Sequence, residues 1–552
     1  MSASPVLVVG GGVEGVRAAL KQAESGRQVY LVEEGPVLGA GGTSAALLSR
    51  LRALGDRVRV ITMADLAGVE WVEDGFRVKV RRRAPRVVEG LCNSCEACVR
   101  VCLANMDDAE RGRMSLRTAI DSLTPGHGGY HILRETPPCQ EACPIHLDVR
   151  GYVGLVADGR YHDSLAVIEG LLPFPGTIGR ICTRPCEAAC NRGLADEPVA
   201  ICALKRFVAD RAMEEVGDVV VRNGGVARPV VSSGRKVAVI GSGPTGLTCA
   251  YELVRVGHGV TVFEALPVAG GMLRVGIPEY RLPHSIVEGE IAALERAGVR
   301  VQTNMRLGRD VTLDGLFKDG YDAVFLALGA HLSQRLGIPG EGSRGVVHGV
   351  EFLRELNLGH RPWVGRRVVV VGGGNVAIDS ARSALRLGAE KVSIVYRRTG
   401  AEMPAYESER NAAIAEGVDI MYLSAPKEVL VSGGGVCGLR CVLTELGAPD
   451  ASGRRAPLPV PDSDFDIEAD MVIPAIGQAA DLGFLSGDGE VKASAGRLEA
   501  DPDTLATSLE GVFAGGDVVT GPRTAIEAIA AGKRAAVSID RYLRQGRCAQ
   551  GR

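Results

Sequence analysis

The sequence predicts an α/β protein in which one dinucleotide-binding domain is inserted into another, preceded by a helical cysteine-rich domain and an amino-terminal Rossmann-like half-domain. Three observations carry this expectation. A β-branched run, a Gly-x-Gly-x-x-Gly or Gly-x-Gly-x-x-Ala turn and a helix-like stretch recur in that order near residues 5–34, 236–264 and 366–398. Of the 14 cysteines, all but Cys249, Cys437, Cys441 and Cys548 lie between Cys92 and Cys202. After the last nucleotide unit, Gly511-Val-Phe-Ala-Gly-Gly-Asp-Val-Val519 reads as one more strand, so the chain returns to finish a domain it had left.

Size and composition set the outer limits. A chain of 552 residues leaves room for about three to four domains. A formal net charge of −3 gives no electrostatic basis for binding nucleic acid or an anionic membrane. The amino terminus, MSASPVLVVGGG, has no basic leader, and no apolar run reaches the ~18 residues of a membrane span. A cytoplasmic protein without a membrane span is therefore expected. In a reducing compartment, crowded cysteines point to metal clusters rather than disulfides. The four scattered cysteines read as plain thiols.

Residues 1–90 open with PVLVVGGGVEGVRAALKQAESGRQVYLVEE, a strand, Gly10-x-Gly12-x-x-Gly15, a helix and a second strand ending at Glu33 and Glu34. The motif could hold a dinucleotide, but its glycines are expected to serve packing, because no returning flavin segment precedes the cysteines. The alternation of WVEDGFRVKV suggests a β-hairpin. In residues 91–137, Cys92-x2-Cys95-x2-Cys98-x3-Cys102 has the ferredoxin-type spacing, with Leu103 where a proline is usual. A four-cysteine zinc knuckle shares that spacing; the redox context favours iron–sulfur. Residues 104–137 read as a connecting loop.

Residues 138–216 carry Cys139-x3-Cys143, Cys182-x3-Cys186-x3-Cys190 and Cys202, with helical periodicity in DVRGYVGLVADG and HDSLAVIEGLL. A small helical domain held by clusters is expected, followed by a linker over 217–234.

The flavin domain is expected over 235–335 and 476–552, with a nicotinamide domain over 336–475. In the first part, KVAVIGSGPTGLTCAYELVRVGHGVTVFEA ends its second strand on Glu264. Gly241 suits the tight turn, Gly243 lets the backbone approach a pyrophosphate, Gly246 lets helix and strand pack, and Glu264 suits a ribose. In the second unit, Gly372-x-Gly374-x-x-Ala377 is followed by a strand ending in Tyr396-Arg397-Arg398 rather than an acid. An arginine pair suits the 2′-phosphate of NADPH, where an acid would take the free hydroxyl of NADH.

From Pro138 onward the chain resembles the small (β) subunit of bacterial glutamate synthase and the amino-terminal half of dihydropyrimidine dehydrogenase. The resemblance spans the cysteine pattern, AGGMLRVGIPEYRLP at 269–283, both nucleotide loops, Ala475-Ile476-Gly477 and the Gly-Gly-Asp ending in Asp517. It implies two [4Fe–4S] clusters in a helical domain ahead of an FAD and NADPH module. By this resemblance and the motifs, the residues expected at FAD are Gly241, Gly243, Pro244, Gly246, Glu264, Gly271, Met272, Arg281, Asp517 and Thr524. Those expected at NADPH are Gly372, Gly374, Asn375, Val376, Ala377, Arg397, Arg398, Ala475, Ile476 and Gly477.

The resemblance also implies that Cys143, Cys182 and Cys186 are three ligands of the flavin-proximal cluster. The family's fourth ligand there is a Gln or Glu; Lys205 stands at the matching position and cannot ligate iron. Cys202, one helical turn earlier on the same face, is inferred to replace it. Cys139 and Cys190 match the other cluster, but His131 and Arg134 stand where its upstream cysteine pair is expected. Either thiolates from Cys92–Cys102 join Cys139 and Cys190, or that run holds its own cluster and a third site is incomplete, with His131 as a non-cysteine ligand. The ten clustered cysteines favour two clusters. The first 105 residues resemble a second family, the flavoprotein subunit of heterodisulfide reductase.

These features imply an NADPH-oxidising FAD/iron–sulfur subunit that takes hydride onto the flavin and passes single electrons to a partner protein. Alternatives are a glutamate synthase small subunit feeding its large subunit, an electron-bifurcating subunit of a heterodisulfide-reductase-like complex, and a non-catalytic electron-wiring subunit.

Overall fold

The computed structural model describes residues 5–33, most of 47–82, 137–216, 231–450, 453–485 and 491–545, with short strands at 105–107, 116–118, 120–122 and 130–132. The Cys92–Cys102 run, Arg134 and most of the 217–234 linker lie outside the described residues. The chain divides into two compact units, residues 1–137 and 138–552.

In the first unit, parallel strands Val6–Val9, Val29–Val32 and Val58–Ile61 lie in that order. The helix Val13–Glu24 buries Val16, Ala19, Leu20 and Ala23, the i, i+3, i+4, i+7 face of an amphipathic helix. The expected hairpin forms as Ala64–Val72 paired with Gly75–Arg82. The stretch expected as loop contains two short antiparallel pairs, Asn105–Asp107 with Leu116–Thr118 and Ile120–Ser122 with Tyr130–Ile132.

The second unit begins with short helices. Val149–Ala157 is capped by the Asp148 carboxylate, which accepts from the Gly151 N–H at 3.0 Å. Tyr161–Glu169, Pro175–Ile181 and Ile201–Val216 complete the framework. Gly179 is required where two of them cross: a Cβ there would stand 2.8 Å from the Arg206 Cα. That close approach lays Ile201–Val216 against the helix that delivers Cys182.

Five parallel strands then form one sheet in the order Arg300–Gln302, Gly259–Phe263, Lys236–Ile240, Ala323–Leu326 and Val512–Ala514. The nearly continuous burial of all but the edge strand Arg300–Gln302 is the signature of a sheet covered on both faces. The last strand arrives from the far end of the chain, so the domain is closed by the returning segment. A second parallel sheet, ordered Asp419–Met421, Lys391–Val395, Arg367–Val371 and Met471–Pro474, belongs to the inserted part. Between its strands at 419–421 and 471–474 the chain runs through an antiparallel meander of Ser424–Ser432, Gly435–Pro449 and Arg455–Glu468, packed through Val429, Leu439 and Cys441 on Val369, Val371 and Val395. The two crossings between the sheets lie side by side, Leu332–Ser333 pairing with Gln478–Ala479.

Candidate active site

The first glycine loop has the shape its sequence demands. Gly241 sits at φ +104°, and a Cβ there would meet the Ala327 carbonyl oxygen at 2.4 Å. Gly246 packs so closely that its Cβ would stand 2.0 Å from the Gly241 oxygen. Gly243 differs from both: nothing lies within 4 Å of its Cβ position, which is the open approach a pyrophosphate needs. The helix Pro244–Arg255 starts there with Pro244 at its first turn, directing free N–H groups and the positive end of its dipole to the same place. The buried Glu264 carboxylate accepts from the Ser242 N–H at 2.9 Å and hydroxyl at 2.6 Å, and from the Leu266 N–H at 2.8 Å. Ser242 in turn accepts from the Gly270 N–H at 3.0 Å.

A cavity of about 560 Å³ opens at these residues. Its walls include Gly241, Gly243, Pro244, Glu264, Met272, Arg281, Asp517 and Thr524 from the flavin-type domain, and Asn375, Val376 and Asp379 from the inserted one. Ile181, the residue before Cys182, lines it as well. Gly271 lies at φ +54° against Gly243, where a Cβ would stand 2.8 Å from the Gly243 Cα. Thr524 caps the long helix Ala525–Gln545, its hydroxyl donating to Glu527 at 2.6 Å, so a second helix amino terminus faces the cavity. Burial raises the Asp517 carboxyl to about 6, against the hydrogen bond it accepts from the Arg523 N–H.

Arg281 lines the cavity but is engaged elsewhere. Its guanidinium donates to Asp379 at 2.5 Å and lies 3.3 Å from Glu409. The residue expected to contact flavin therefore also ties the 269–283 segment to the inserted domain. Two further bonds run between the same parts: Arg274 donates to the Asn357 carbonyl at 2.6 Å, and the Asn357 amide to the Val275 carbonyl at 3.1 Å.

The second glycine loop repeats the first. Gly372, at φ +142°, would place a Cβ 2.2 Å from the Ala475 oxygen, while Gly374 faces open space at the start of helix Asn375–Arg386. Ala377 is fully buried, and Gly373 accommodates the Tyr396 ring, which would lie 2.4 Å from a Cβ. Gly477, at φ +156°, packs on Gln334, and Ile476 is exposed. The two arginines after the strand are not equivalent. Arg397 is exposed, whereas Arg398 is 2% exposed, donates to the Arg455 carbonyl at 2.7 Å and pairs with Asp450. Both are expected from the sequence to meet a 2′-phosphate; Arg398 is built into the loop, and Arg397 is the exposed arginine of the pair.

The cysteines gather in two sets. The Cys182 and Cys202 thiols lie beside each other, and both lie with Cys143 and Cys186 within electrostatic reach of the buried Tyr152 phenol. Cys139 and Cys190 lie within reach of each other. Among the described residues no group of three or more thiol, imidazole or carboxylate side chains is spaced to hold a metal ion; a [4Fe–4S] cluster would draw one thiolate to each of its irons, and four thiols in reach of Tyr152 supply that number.

Sequence reasoning missed Ser242, Asp379, Tyr406 and His331, all on the cavity wall. Asp379 and Tyr406 carry no motif, and their places depend on the docking of two domains. Burial lowers the His331 imidazole pKa, with Arg354 beside it acting in the same direction.

Comparisons with known proteins agree with this architecture. The pyridine nucleotide-disulphide oxidoreductase family matches residues 235–532. The dihydropyrimidine dehydrogenase domain II, 4Fe-4S cluster family matches 133–216, and the FAD dependent oxidoreductase family matches 5–84. A Moorella thermoacetica protein, NADP(+)-dependent formate dehydrogenase subunit beta, is 52% identical over 74% of this chain and 60% of its own length. The NADPH-Fe(3+) oxidoreductase subunit beta of Geobacter sulfurreducens is 39% identical over 82% of this chain and 70% of its own. The glutamate synthase [NADPH] small chain of Escherichia coli is 35% identical over 74% of this chain and 89% of its own. Loop geometry, the returning strand and these matches together place the chain in the pyridine nucleotide-disulphide oxidoreductase family, in the branch that carries a 4Fe-4S domain ahead of the nucleotide-binding domains.

Proposed function

We propose that this chain is an electron-transfer subunit that oxidises NADPH at FAD and passes the electrons singly through [4Fe–4S] clusters to a partner protein. The observation that carries the reading is the make-up of one cavity: its wall holds the first glycine loop, Asn375 and Val376 from the end of the second, and the residue next to Cys182. A hydride donor, its acceptor and a one-electron exit must meet at one place, and residues expected to serve each of them share this wall.

FAD, when bound, supplies the step from two-electron to one-electron chemistry. The protein's part is placement. Gly243 and Gly374 let the backbone approach two pyrophosphates, and two helix amino termini balance their charge. Arg281 and Asp379 hold the inserted domain against the 269–283 segment, fixing the distance over which hydride must pass. The wall offers no thiol pair for a disulfide relay: Cys249 and Cys441 are buried, Cys437 is exposed, and none lines the cavity.

The acceptor is a protein. Three relatives are named as a subunit or small chain of a larger enzyme, and a partner of the formate dehydrogenase kind is the first to test, ahead of a glutamate-synthase-type or heterodisulfide-reductase-like one. Among the described residues no helix is long and apolar enough to cross a membrane, which fits a cytoplasmic complex. Anaerobic NADPH should bleach the flavin absorbance of the purified protein and then reduce an added viologen. Protein isolated without FAD, or flavin that NADPH leaves oxidised, overturns the proposal; co-purification with mass spectrometry identifies the partner.

A further inference from the structure

We propose that Cys202 supplies the fourth thiolate of the flavin-side cluster, beside Cys143, Cys182 and Cys186, and that Lys205 is the buried cation that balances the cluster's charge. The inference rests on the reading of residues 138–216 as an iron–sulfur domain and assigns within it the ligand that Lys205 cannot be.

Two independent observations support it. The first is placement. Gly179 brings the helix Ile201–Val216 into backbone contact with Pro175–Ile181, and Cys202 on that helix is 2% exposed and turned inward. Its thiol lies beside that of Cys182, the residue after Ile181 on the cavity wall. The Cys202 backbone is held as well, its N–H donating to Glu187 at 2.8 Å.

The second observation is charge. Lys205 is 4% exposed, so bulk water does not solvate its ammonium. Its ammonium instead interacts with Cys182, Cys186 and Cys202. A buried ammonium is costly unless an anion offsets its lost hydration. A cluster held by four thiolates is anionic, and the same lysine then becomes its counter-charge. The Cys202 sulfur also stands 3.4 Å from the carbonyls of Ile178 and Gly179, the residues just ahead of Cys182.

The test uses the full chain purified anaerobically, with iron and acid-labile sulfide counted per chain and the electron paramagnetic resonance spectrum recorded after dithionite reduction. These readouts do not involve NADPH, so a negative result here is separable from a failure of NADPH oxidation. Cys202→Ala is expected to lose one cluster's share of iron and sulfide and one spectral component while keeping FAD; Cys249→Ala, at a buried thiol elsewhere, is the control and keeps all of them. Should Cys202→Ala fail to fold, Cys202→Ser decides: a cluster retained with altered g-values supports ligation at this position. Wild-type iron, sulfide and spectrum in the variant that folds overturn the assignment. Lys205→Met is expected to keep the iron and make that cluster's midpoint potential more negative, since removing a cation disfavours adding an electron. An unchanged potential overturns the role given to the lysine.

Discussion

At the scale of single residues, adjacent identical side chains can do unrelated work. Arg397 and Arg398 follow the same strand, yet one reaches solvent while the other is buried against Arg455 and Asp450. The two substitutions should therefore separate. Arg397→Ala should raise KM for NADPH about ten- to a hundredfold, the span of one lost charge-assisted hydrogen bond, and leave NADH oxidation unchanged; steady-state kinetics with both nucleotides would show it. Arg398→Ala removes the buried donor to the Arg455 carbonyl and should cost about 1–3 kcal/mol of stability, visible as a lower Tm. An equal NADPH defect in both, at unchanged Tm, would mean that the buried arginine turns outward to the nucleotide. The sequence could not distinguish them, since the partners of Arg398 lie 52 and 57 residues away.

At the scale of elements, what was legible was local and what was hidden was non-local. Each glycine loop is a short strand–turn–helix whose demands fall on three glycines, or two and an alanine, so spacing alone disclosed its shape. The returning strand at 512–514 was legible because the Gly-Gly-Asp follows it directly. The meander over 424–468 was not anticipated, nor was the support for the helix that carries Cys182. That support is Glu290, which is 1% exposed on the helix His284–Arg296 and accepts from the Gly176 N–H at 2.6 Å and the Thr177 N–H at 3.2 Å. It joins the flavin-type domain to the first turn of Pro175–Ile181, across more than 110 residues of sequence. Burial raises its carboxyl from 4.5 to about 7, the hydrogen bonds from Thr177 and Gly176 opposing the shift. A raised folded-state value means that this group's contribution to stability is complete below about pH 4.5 and is lost as the pH rises through about 7. Glu290→Gln keeps an acceptor without the charge and should flatten that part of the Tm–pH curve, whereas Glu290→Ala should cost about 1–3 kcal/mol at every pH. A Tm that declines identically with pH in wild type and Glu290→Gln would exclude this carboxyl as the source.

At the scale of the whole molecule, the division at Pro137 separates the cavity from part of the cysteine supply. Every residue that lines the cavity, and all four thiols around Tyr152, belong to the unit 138–552. Cys139 and Cys190 belong to it too, but make only a pair, and a cubane needs four ligands. A chain shortened to residues 138–552 should therefore still bind FAD, still be bleached by NADPH and still hold the cluster beside Cys182. It should lose iron and sulfide relative to the full chain, because the thiolates of Cys92–Cys102 are gone. Cys139→Ala in the full chain then distinguishes the two arrangements. If two of those thiolates complete the Cys139–Cys190 set, this substitution removes the same spectral component that truncation removes, and combining the two changes nothing further. If Cys92–Cys102 hold a cluster of their own, Cys139→Ala leaves that component in place. A shortened chain with the iron of the full chain would show that the amino-terminal thiols carry no cluster, and the path for electrons would then have to leave the protein from the helical domain itself.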